Sequence, residues 1–147
     1  MLKICESVYN TLLFTLPTDR ECGGILGKEN GIVTSCTVDY GFFSTTAAYY
    51  PNISEINAAI NRWRQNGIIF CGFFHTHLTN DATLSKQDRE YITNIMTAVS
   101  EQQNRLLFPV IIPNQRIVFH KAHYLKNNLQ IQEEVFEIIQ QTKERSS

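Results

Sequence analysis

The chain has 147 residues, 43% of them hydrophobic, and its formal net charge is −1 at pH 7. This length fits one compact domain with a sizeable core, so we expect no second domain. The basic residues are scattered along the sequence, which argues against nucleic-acid binding. No apolar run reaches the roughly eighteen residues of a membrane span, and Glu6 interrupts any signal-peptide core. These features predict a cytoplasmic protein that contacts neither nucleic acid nor membrane.

The four cysteines are far apart in the sequence and form no Cys-x-x-Cys pair: Cys5, Cys22, Cys36 and Cys71. This spacing argues against a four-cysteine zinc site and against a disulfide framework. Reduced and mostly buried thiols are expected instead.

The first forty residues predict a helix followed by a β-hairpin. Apolar residues at helical spacing indicate a first helix that Pro17 ends, with a stripe of Ile4, Val8, Leu12 and Leu13. Residues 23–27 and 32–38 flank a turn sequence at 28–31 and are expected to pair as a hairpin. Residues 41–53 are expected to form a loop.

The middle of the chain predicts a second helix and a buried strand. Ser54 is expected to cap this helix, which ends at Asn66-Gly67 and buries a stripe of Ile56, Ala59, Ile60 and Trp63. An apolar strand then runs to His75, and residues 78–84 form a polar loop.

The last part of the chain predicts a third helix, two strands and a fourth helix. Ser85 would open the third helix, whose apolar face holds Ile92, Ile95, Met96 and Val99. Strands are expected at residues 106–112 and 115–120, separated by Pro113-Asn114. A final amphipathic helix is expected at about residues 129–142, with an apolar face of Leu129, Ile131, Val135, Ile138 and Ile139.

Two histidines, His75 and His77, stand at the end of the apolar strand. Side chains at i and i+2 lie on one face of a strand, so the two imidazoles can share one metal ion. A carboxylate from the next element, such as Asp88, would be a third ligand. Three protein ligands with one open position are typical of a catalytic zinc site. Glu21, outside this cluster, would be free to take a proton.

These residues together resemble the motif of the JAMM metalloproteases, also called MPN+ domains. The shared pattern is a glutamate ahead of a Gly-rich strand, then His75-x-His77, then Ser85-x-x-Asp88, and the similarity covers roughly residues 4–122. The resemblance implies a single α/β (α+β) domain with a curved mixed sheet flanked by helices, a layered architecture like that of cytidine deaminases. It also implies zinc-dependent hydrolysis of isopeptide or peptide bonds at the C-terminus of ubiquitin or a ubiquitin-like protein.

The resemblance also implies a role for each motif residue. His75, His77 and Asp88 would be the ligands of one zinc ion per chain. Glu21 would be the general acid and base, and the Ser85 hydroxyl would support the oxyanion. The chain departs from the family at one position, because the residue after the second histidine is usually proline and is Leu78 here.

The short chain is most similar to the standalone bacterial members of this family. The resemblance therefore implies cleavage after the C-terminal glycine of a ubiquitin-like modifier, in a bacterial conjugation system that includes antiphage examples. The partners would be a ubiquitin-like protein or its conjugates and the E1-like and E2-like enzymes of the same system. Peptidase activity on a sulfur-carrier protein or a small amide, and a catalytically silent binding scaffold, are the alternatives.

Four aromatic residues in the loop at 41–53 are candidates for contact with the modifier: Phe42, Phe43, Tyr49 and Tyr50. An extended tail with small residues is expected to lie in a groove between this loop and the loop after His77, bonded as an added strand. The alternative for these aromatic residues is simple packing within the loop.

Several of the candidate residues also have an ordinary structural interpretation. Ser85 with Asp88 three residues later is the pattern of a helix N-cap, which is compatible with a ligand role for Asp88. Cys22 is expected to be a structural cysteine, because the metal already supplies a nucleophile. His120 and His123 are expected to be surface or core histidines.

Overall fold

The computed structural model describes residues 1–41, 49–99 and 103–140. Within these ranges three helices and ten strands form a mixed α+β fold, as the sequence predicts. None of the described helices is both long and apolar enough to cross a membrane. The helices are α1 Glu6–Phe14, α2 Ile53–Gln65 and α3 Lys86–Val99. The strands are β1 Leu2–Cys5, β2 Gly23–Glu29, β3 Ile32–Asp39, β4 Ile69–Thr76, β5 Arg105–Leu107, β6 Val110–Ile112, β7 Arg116–Val118, β8 His120–Leu125, β9 Asn128–Glu133 and β10 Phe136–Ile139.

The described strands form one mixed sheet in which β4 is central. The main order is β10-β1-β3-β2-β4-β5-β8-β9, and β6 pairs with both β4 and β7. Strand β4 is antiparallel to β2 and parallel to β5 and β6. At His75 both edges of β4 are occupied, by Gly23 of β2 and Val110 of β6. His75 therefore lies in the interior of the sheet, where paired strands hold its backbone on both sides, and His77 follows just after the end of β4.

The predicted hairpin is confirmed by the pairing of β2 with β3. Its turn residues Asn30 and Gly31 both have positive φ, 51° and 78°. Two consecutive positive φ angles are what a type I′ turn requires, and asparagine followed by glycine tolerates them best. This hairpin places residue 21 at the entrance to β2.

The sequence prediction is wrong about the start of the chain. Ile4 lies in β1 and not in the first helix, which begins at Glu6. Strand β1 pairs in parallel with both β3 and β10, and Ile4 is fully buried in the same core as Val8 and Leu12. Ile4 therefore keeps helical spacing with those residues because it faces the same core from a different element.

Helix α2 begins two residues earlier than predicted, because its cap is Asn52 and not Ser54. The Asn52 side chain accepts a hydrogen bond from Glu55 N–H at 3.3 Å. The Asn52 N–H donates to the Asp39 carboxylate at 2.9 Å, so a residue at the end of β3 fixes the cap. The helix ends as predicted, at Asn66 followed by Gly67 with φ 77°.

The predicted strand at 106–112 is divided, and the strand predicted at 115–120 is shortened to β7, Arg116–Val118. Pro109 separates β5 from β6, and its missing N–H removes one donor that an unbroken strand would need. Asn114, at φ 65°, lies in the turn between β6 and β7, as the Pro113-Asn114 pair predicts. His120 opens β8, which runs on to Leu125.

The final helix predicted at residues 129–142 is wrong over the described part, which extends to residue 140. Residues 128–133 and 136–139 are the strands β9 and β10. Lys126 and Asn127 have φ 51° and 67°, a two-residue turn that folds β9 back on β8. Strand β10 then pairs with β1, and its Phe136 stacks on Tyr9 with ring centroids 5.7 Å apart. A partner more than a hundred residues away thus decides the structure of residues 136–139, whereas residues 128–133 depend on the neighbouring strand β8.

Helix α3 packs on the face of the sheet that carries the two histidines. Its buried residues Ile92 and Met96 belong to a core cluster against which Phe73 of β4 also packs. Phe73 contacts Tyr91 edge to face, with centroids 6.5 Å apart. Because side chains alternate along a strand, His75 and His77 share the face of Phe73. Residues in the first turn of α3 are therefore brought over the histidine pair.

Candidate metal centre

The imidazoles of His75 and His77 meet at the end of β4. The backbone N–H of His77 donates to Ile111 O at 2.9 Å, so the chain stays extended for one residue beyond the strand. The two Nε2 atoms lie 3.0 Å apart and the ring centroids 4.8 Å apart. This is the shared face that the i, i+2 spacing predicts.

Asp88, in the first turn of α3, brings a carboxylate to the same point. Its Oδ1 lies 3.4 Å from His75 Nε2, and its Oδ2 lies 3.2 Å from His77 Nε2. A tetrahedral ion with bonds of about 2.0–2.1 Å holds its ligand atoms roughly 3.3 Å apart. The two imidazole nitrogens and the two carboxylate oxygens thus make contacts close to this spacing, each histidine with a different oxygen of Asp88. One ligand atom from each residue lies within 4.8 Å of the others, so the group can hold a metal ion.

Hydrogen bonds between these side chains shift the pKa values of Asp88 and His77 in opposite directions. Burial opposes ionisation of Asp88, but hydrogen bonds with His75 and His77 outweigh it and hold the pKa of Asp88 below its usual range. The hydrogen bond to Asp88 raises the pKa of His77 above its ordinary value, against the effect of burial. A metal ion replaces a proton in such a cluster, because a histidine ligand must be neutral.

Glu21 lies on the same face as the histidines but outside the three-residue group. Cys22 N–H donates to Thr76 Oγ1 and Thr76 N–H donates to Cys22 O, both at 2.9 Å. The β2–β4 register pairs Gly23 with His75, so its continuation places Glu21 opposite His77. Opposite residues of antiparallel strands point to the same face. Burial raises the pKa of Glu21, and the two nearby histidines oppose that shift.

Ser85 forms a reciprocal cap with Asp88. The Asp88 N–H donates to Ser85 Oγ at 3.0 Å, and the Ser85 N–H donates to Asp88 Oδ2 at 3.0 Å. This is a capping box with aspartate as the acid. The structural interpretation of Ser85 is therefore confirmed, and it supports the ligand role of Asp88, because the cap orients the carboxylate. In this cap the Ser85 oxygen accepts, so the cap does not use the hydroxyl hydrogen.

The group opens into a cleft of about 600 Å³ between the end of β4 and the loop at residues 78–84. Glu21, Ser85 and the three candidate ligands all line it. Its apolar wall includes Phe73, Tyr91 and Phe108. The cleft thus combines polar and ionisable side chains with an apolar wall.

Of the four aromatic residues predicted to bind substrate, Tyr49 and Tyr50 line the cleft, whereas Phe42 and Phe43 lie outside the described residues. Tyr49 is held in place, because its hydroxyl donates to Asp39 at 2.6 Å and its ring covers Gly23. Burial and this hydrogen bond raise the pKa of Tyr49, so its phenol stays protonated. Tyr50 is 57% exposed. Tyr50 is therefore the better candidate for contact with a partner.

Cys22 does not have the properties of a nucleophile, although it adjoins Glu21. Its side chain is fully buried, and burial raises its pKa to about 11. A reactive cysteine needs the opposite shift. All four cysteines are free thiols and three are buried, as the sequence predicts.

The sequence did not reveal two residues that hold the loop beside the site, Arg116 and His120. Arg116 Nη2 donates to Asn80 O at 2.6 Å, and His120 Nε2 lies 3.2 Å from Ala82 O. Both side chains come from strands that follow the loop by more than thirty residues. No local pattern in the sequence indicates these contacts.

No protein-family model matches the sequence, and no curated protein matches it. Solved structures with a similar fold include the solution structure of a structural genomics target from Desulfitobacterium hafniense. Its TM-score is 0.67 at 17% identity, over 96% of this chain and 94% of that one. A second solution structure, of a protein from Salinibacter ruber, has a TM-score of 0.53 at 13% identity, over 99% and 95% of the two chains. At these identities the similarity concerns the fold alone.

Proposed function

We propose that the protein is a zinc-dependent peptidase of the JAMM type that cleaves after the C-terminal glycine of a ubiquitin-like modifier. The observation that carries the proposal is the convergence of His75, His77 and Asp88 at 3.0–3.4 Å, with Glu21 on the same face of one cleft. Two imidazoles and one carboxylate suit zinc, whereas magnesium and calcium prefer sites made of oxygen ligands.

Side chains of the protein would transfer the proton and stabilise the reacting carbonyl. A zinc ion held by the three ligands supplies the Lewis acidity that activates water and polarises the scissile carbonyl. Glu21, whose raised pKa makes it a better proton acceptor than an exposed carboxylate, takes the proton of the attacking water and delivers it to the leaving amine. Ser85 donates its hydroxyl hydrogen to the developing oxyanion. No nucleophilic side chain is required.

The resemblance to the JAMM motif supports the choice of substrate. The cleft is bounded by Tyr49 to Pro51 on one side and by the loop at 78–84 on the other. We expect an extended peptide to lie between these two segments. Because both edges of β4 are already paired at His75, a tail that binds as an added strand must pair with one of the loops and not with β4.

The proposal is tested with three fluorogenic substrates: a ubiquitin-like protein with an amide-linked reporter, a sulfur-carrier protein with a C-terminal extension, and a small acyl amide. We expect chelator-sensitive cleavage after the terminal glycine of the first substrate, and selectivity for it over the small amide. Preference for the sulfur carrier or the small amide would show that the same site acts on those substrates instead. No cleavage of any substrate by the zinc-loaded protein would favour a silent scaffold.

Two variants separate the two proposed roles of Ser85, as helix cap and as hydrogen-bond donor to the oxyanion. Ser85→Ala removes both the cap and the donor, so we expect a loss of about 1 kcal/mol in unfolding free energy and a kcat about a hundredfold lower. Ser85→Thr keeps both groups and should restore most of each. If Ser85→Ala lowers stability but leaves kcat unchanged, Ser85 is a cap only.

Tyr50 tests the proposed contact with the folded modifier. Because Tyr50 is exposed at the cleft whereas Tyr49 is bonded to Asp39, the informative change is Tyr50→Ala alone. We expect KM to rise several-fold for the modifier-fused substrate and to change little for a short tail peptide. Phe14→Ala, which removes a 58% exposed aromatic from α1, is the control. Equal effects on both substrates would contradict a role in reading the modifier.

A further inference from the structure

The loop at residues 78–84 is fixed through three consecutive backbone carbonyls. Arg116 Nη2 donates to Asn80 O at 2.6 Å, His77 Nδ1 lies 2.9 Å from Asp81 O, and His120 Nε2 lies 3.2 Å from Ala82 O. This segment contains neither helix nor strand, yet it joins the ligand at the end of β4 to the ligand in α3. Its conformation therefore sets how the two ligands stand relative to each other.

The middle carbonyl has a direct effect on a metal ligand. A carbonyl accepts only, so His77 must carry its ring proton on Nδ1 to form this bond. The Nε2 lone pair is then free to bind a metal ion. Without an ion, Nε2–H can instead donate to Asp88 Oδ2, 3.2 Å away, so the Asp81 carbonyl and Asp88 compete for the single proton of the neutral ring. Partners of this kind fix the tautomer and ring orientation of metal-binding histidines. The position of the Asp81 carbonyl thus determines whether His77 is ready to bind metal.

Arg116 and His120 hold the peptide units on either side of that carbonyl. His120 is 6% exposed, and burial lowers its pKa, so its ring stays neutral. Ala82 and Leu84 of the loop are buried in the same cluster as Ile92 of α3, which holds the rest of the segment. With Asn80 and Ala82 bound on each side, the Asp81 carbonyl has little freedom to turn away from His77.

We propose that Arg116 and His120 are positioning residues for the metal centre, which act by holding the Asp81 carbonyl against His77 Nδ1. This inference rests on the metal-dependent function proposed above. Neither residue belongs to the candidate ligand group or to the lining of the cleft. Their effect is on zinc affinity and on the tautomer of His77, and through these on turnover.

Zinc affinity provides the first test, measured by competition with a chromophoric chelator. We expect Arg116→Ala and His120→Leu each to weaken zinc binding about tenfold or more, as loss of such partners does elsewhere. Arg116→Lys and His120→Gln keep a donor and should recover most of the affinity. Arg105→Ala, at an exposed site at the start of β5, and His123→Gln, in the same strand as His120, are the controls. Wild-type affinity in Arg116→Ala, or an equal loss in Arg105→Ala, would overturn the proposal.

The tautomer of His77 provides a second test that needs no metal. Nitrogen chemical shifts of the ring, measured in metal-free protein at a pH where the imidazole is neutral, report the ratio of the Nδ1–H tautomer to the Nε2–H tautomer. In Arg116→Ala we expect this ratio to fall below its wild-type value, because the Asp81 carbonyl is held less firmly, and in Arg105→Ala we expect the wild-type ratio. Arg116 is exposed, so its variants keep the test available even if His120→Leu does not fold.

The two tests also separate the two proposals. If the wild-type protein binds no zinc but Arg116→Ala shifts the tautomer, the proposed function fails, whereas the positioning of the His77 ring by the loop stands. If zinc binds and Arg116→Ala changes neither affinity nor tautomer, the proposed function stands and the positioning role fails.

Discussion

Glu21→Gln is expected to lower kcat by a factor of about 10²–10⁴ and to leave zinc content unchanged. The change keeps the shape of the side chain but removes its ability to accept and deliver a proton. Glu21 lies outside the group His75, His77 and Asp88, so the ligand set is intact in this variant. The measurement is single-turnover cleavage of a modifier-fused reporter, beside zinc content and melting temperature.

The matched control is Glu90→Gln, which makes the same chemical change at an exposed position in α3, two residues after Asp88. It should cleave at the wild-type rate. Loss of zinc from Glu21→Gln would make Glu21 a ligand. Wild-type turnover in Glu21→Gln would remove the proton-transfer role assigned to it.

His77→Ala is expected to abolish both zinc binding and turnover. The variant removes one of three ligands and also the partner of the Asp81 carbonyl, so the ligands on the two sides of the loop lose their link. Zinc bound only to the folded state raises stability, by about 2.7 kcal/mol at a free concentration a hundred times Kd. Added zinc should therefore raise the melting temperature of the wild-type protein and not that of His77→Ala.

His123→Ala is the control for this second prediction. It removes a histidine from β8 that does not belong to the lining of the cleft. The variant should keep the zinc-dependent rise in melting temperature. A rise of the same size in His77→Ala would show that zinc binds elsewhere. In that case His75 and Asp88 would have to be re-examined as ligands.

The candidate ligands could be predicted from the sequence because the motif depends on local geometry. The i, i+2 spacing in a strand puts His75 and His77 on one face whatever the rest of the fold does. Asp88 required one further step, the placement of α3 over that face, and the capping pattern with Ser85 already indicated where that helix begins. The hairpin at Asn30-Gly31 was equally local.

Most of the errors have long-range causes. Ile4 and residues 136–139 lie in strands because β1 and β10 pair with each other from the two ends of the chain. Residues 128–133 form a strand for a local reason, the two-residue turn through which β9 pairs with β8. Asn52 is the cap of α2 because Asp39 holds its N–H. Without knowledge of these partners, the sequence alone shows helical spacing at Ile4, and it makes Ser54 as good a candidate cap as Asn52.

The same reason explains why the loop contacts were missed. Leu78 stands where the family resemblance predicts proline, which suggests a loop with less intrinsic restraint. In the structure, Arg116 and His120 restrain the loop through their contacts with the carbonyls of Asn80 and Ala82. Such compensation involves residues that no motif includes.

The most direct measurement of the central claim is a zinc titration of the metal-free wild-type protein while cleavage of a modifier-fused reporter is followed. We predict that activity is absent at the start, rises in proportion to added zinc, and reaches its plateau at about one zinc ion per chain. Full turnover before any zinc is added, or zinc binding at one equivalent with no turnover of any of the three substrates, would contradict the account.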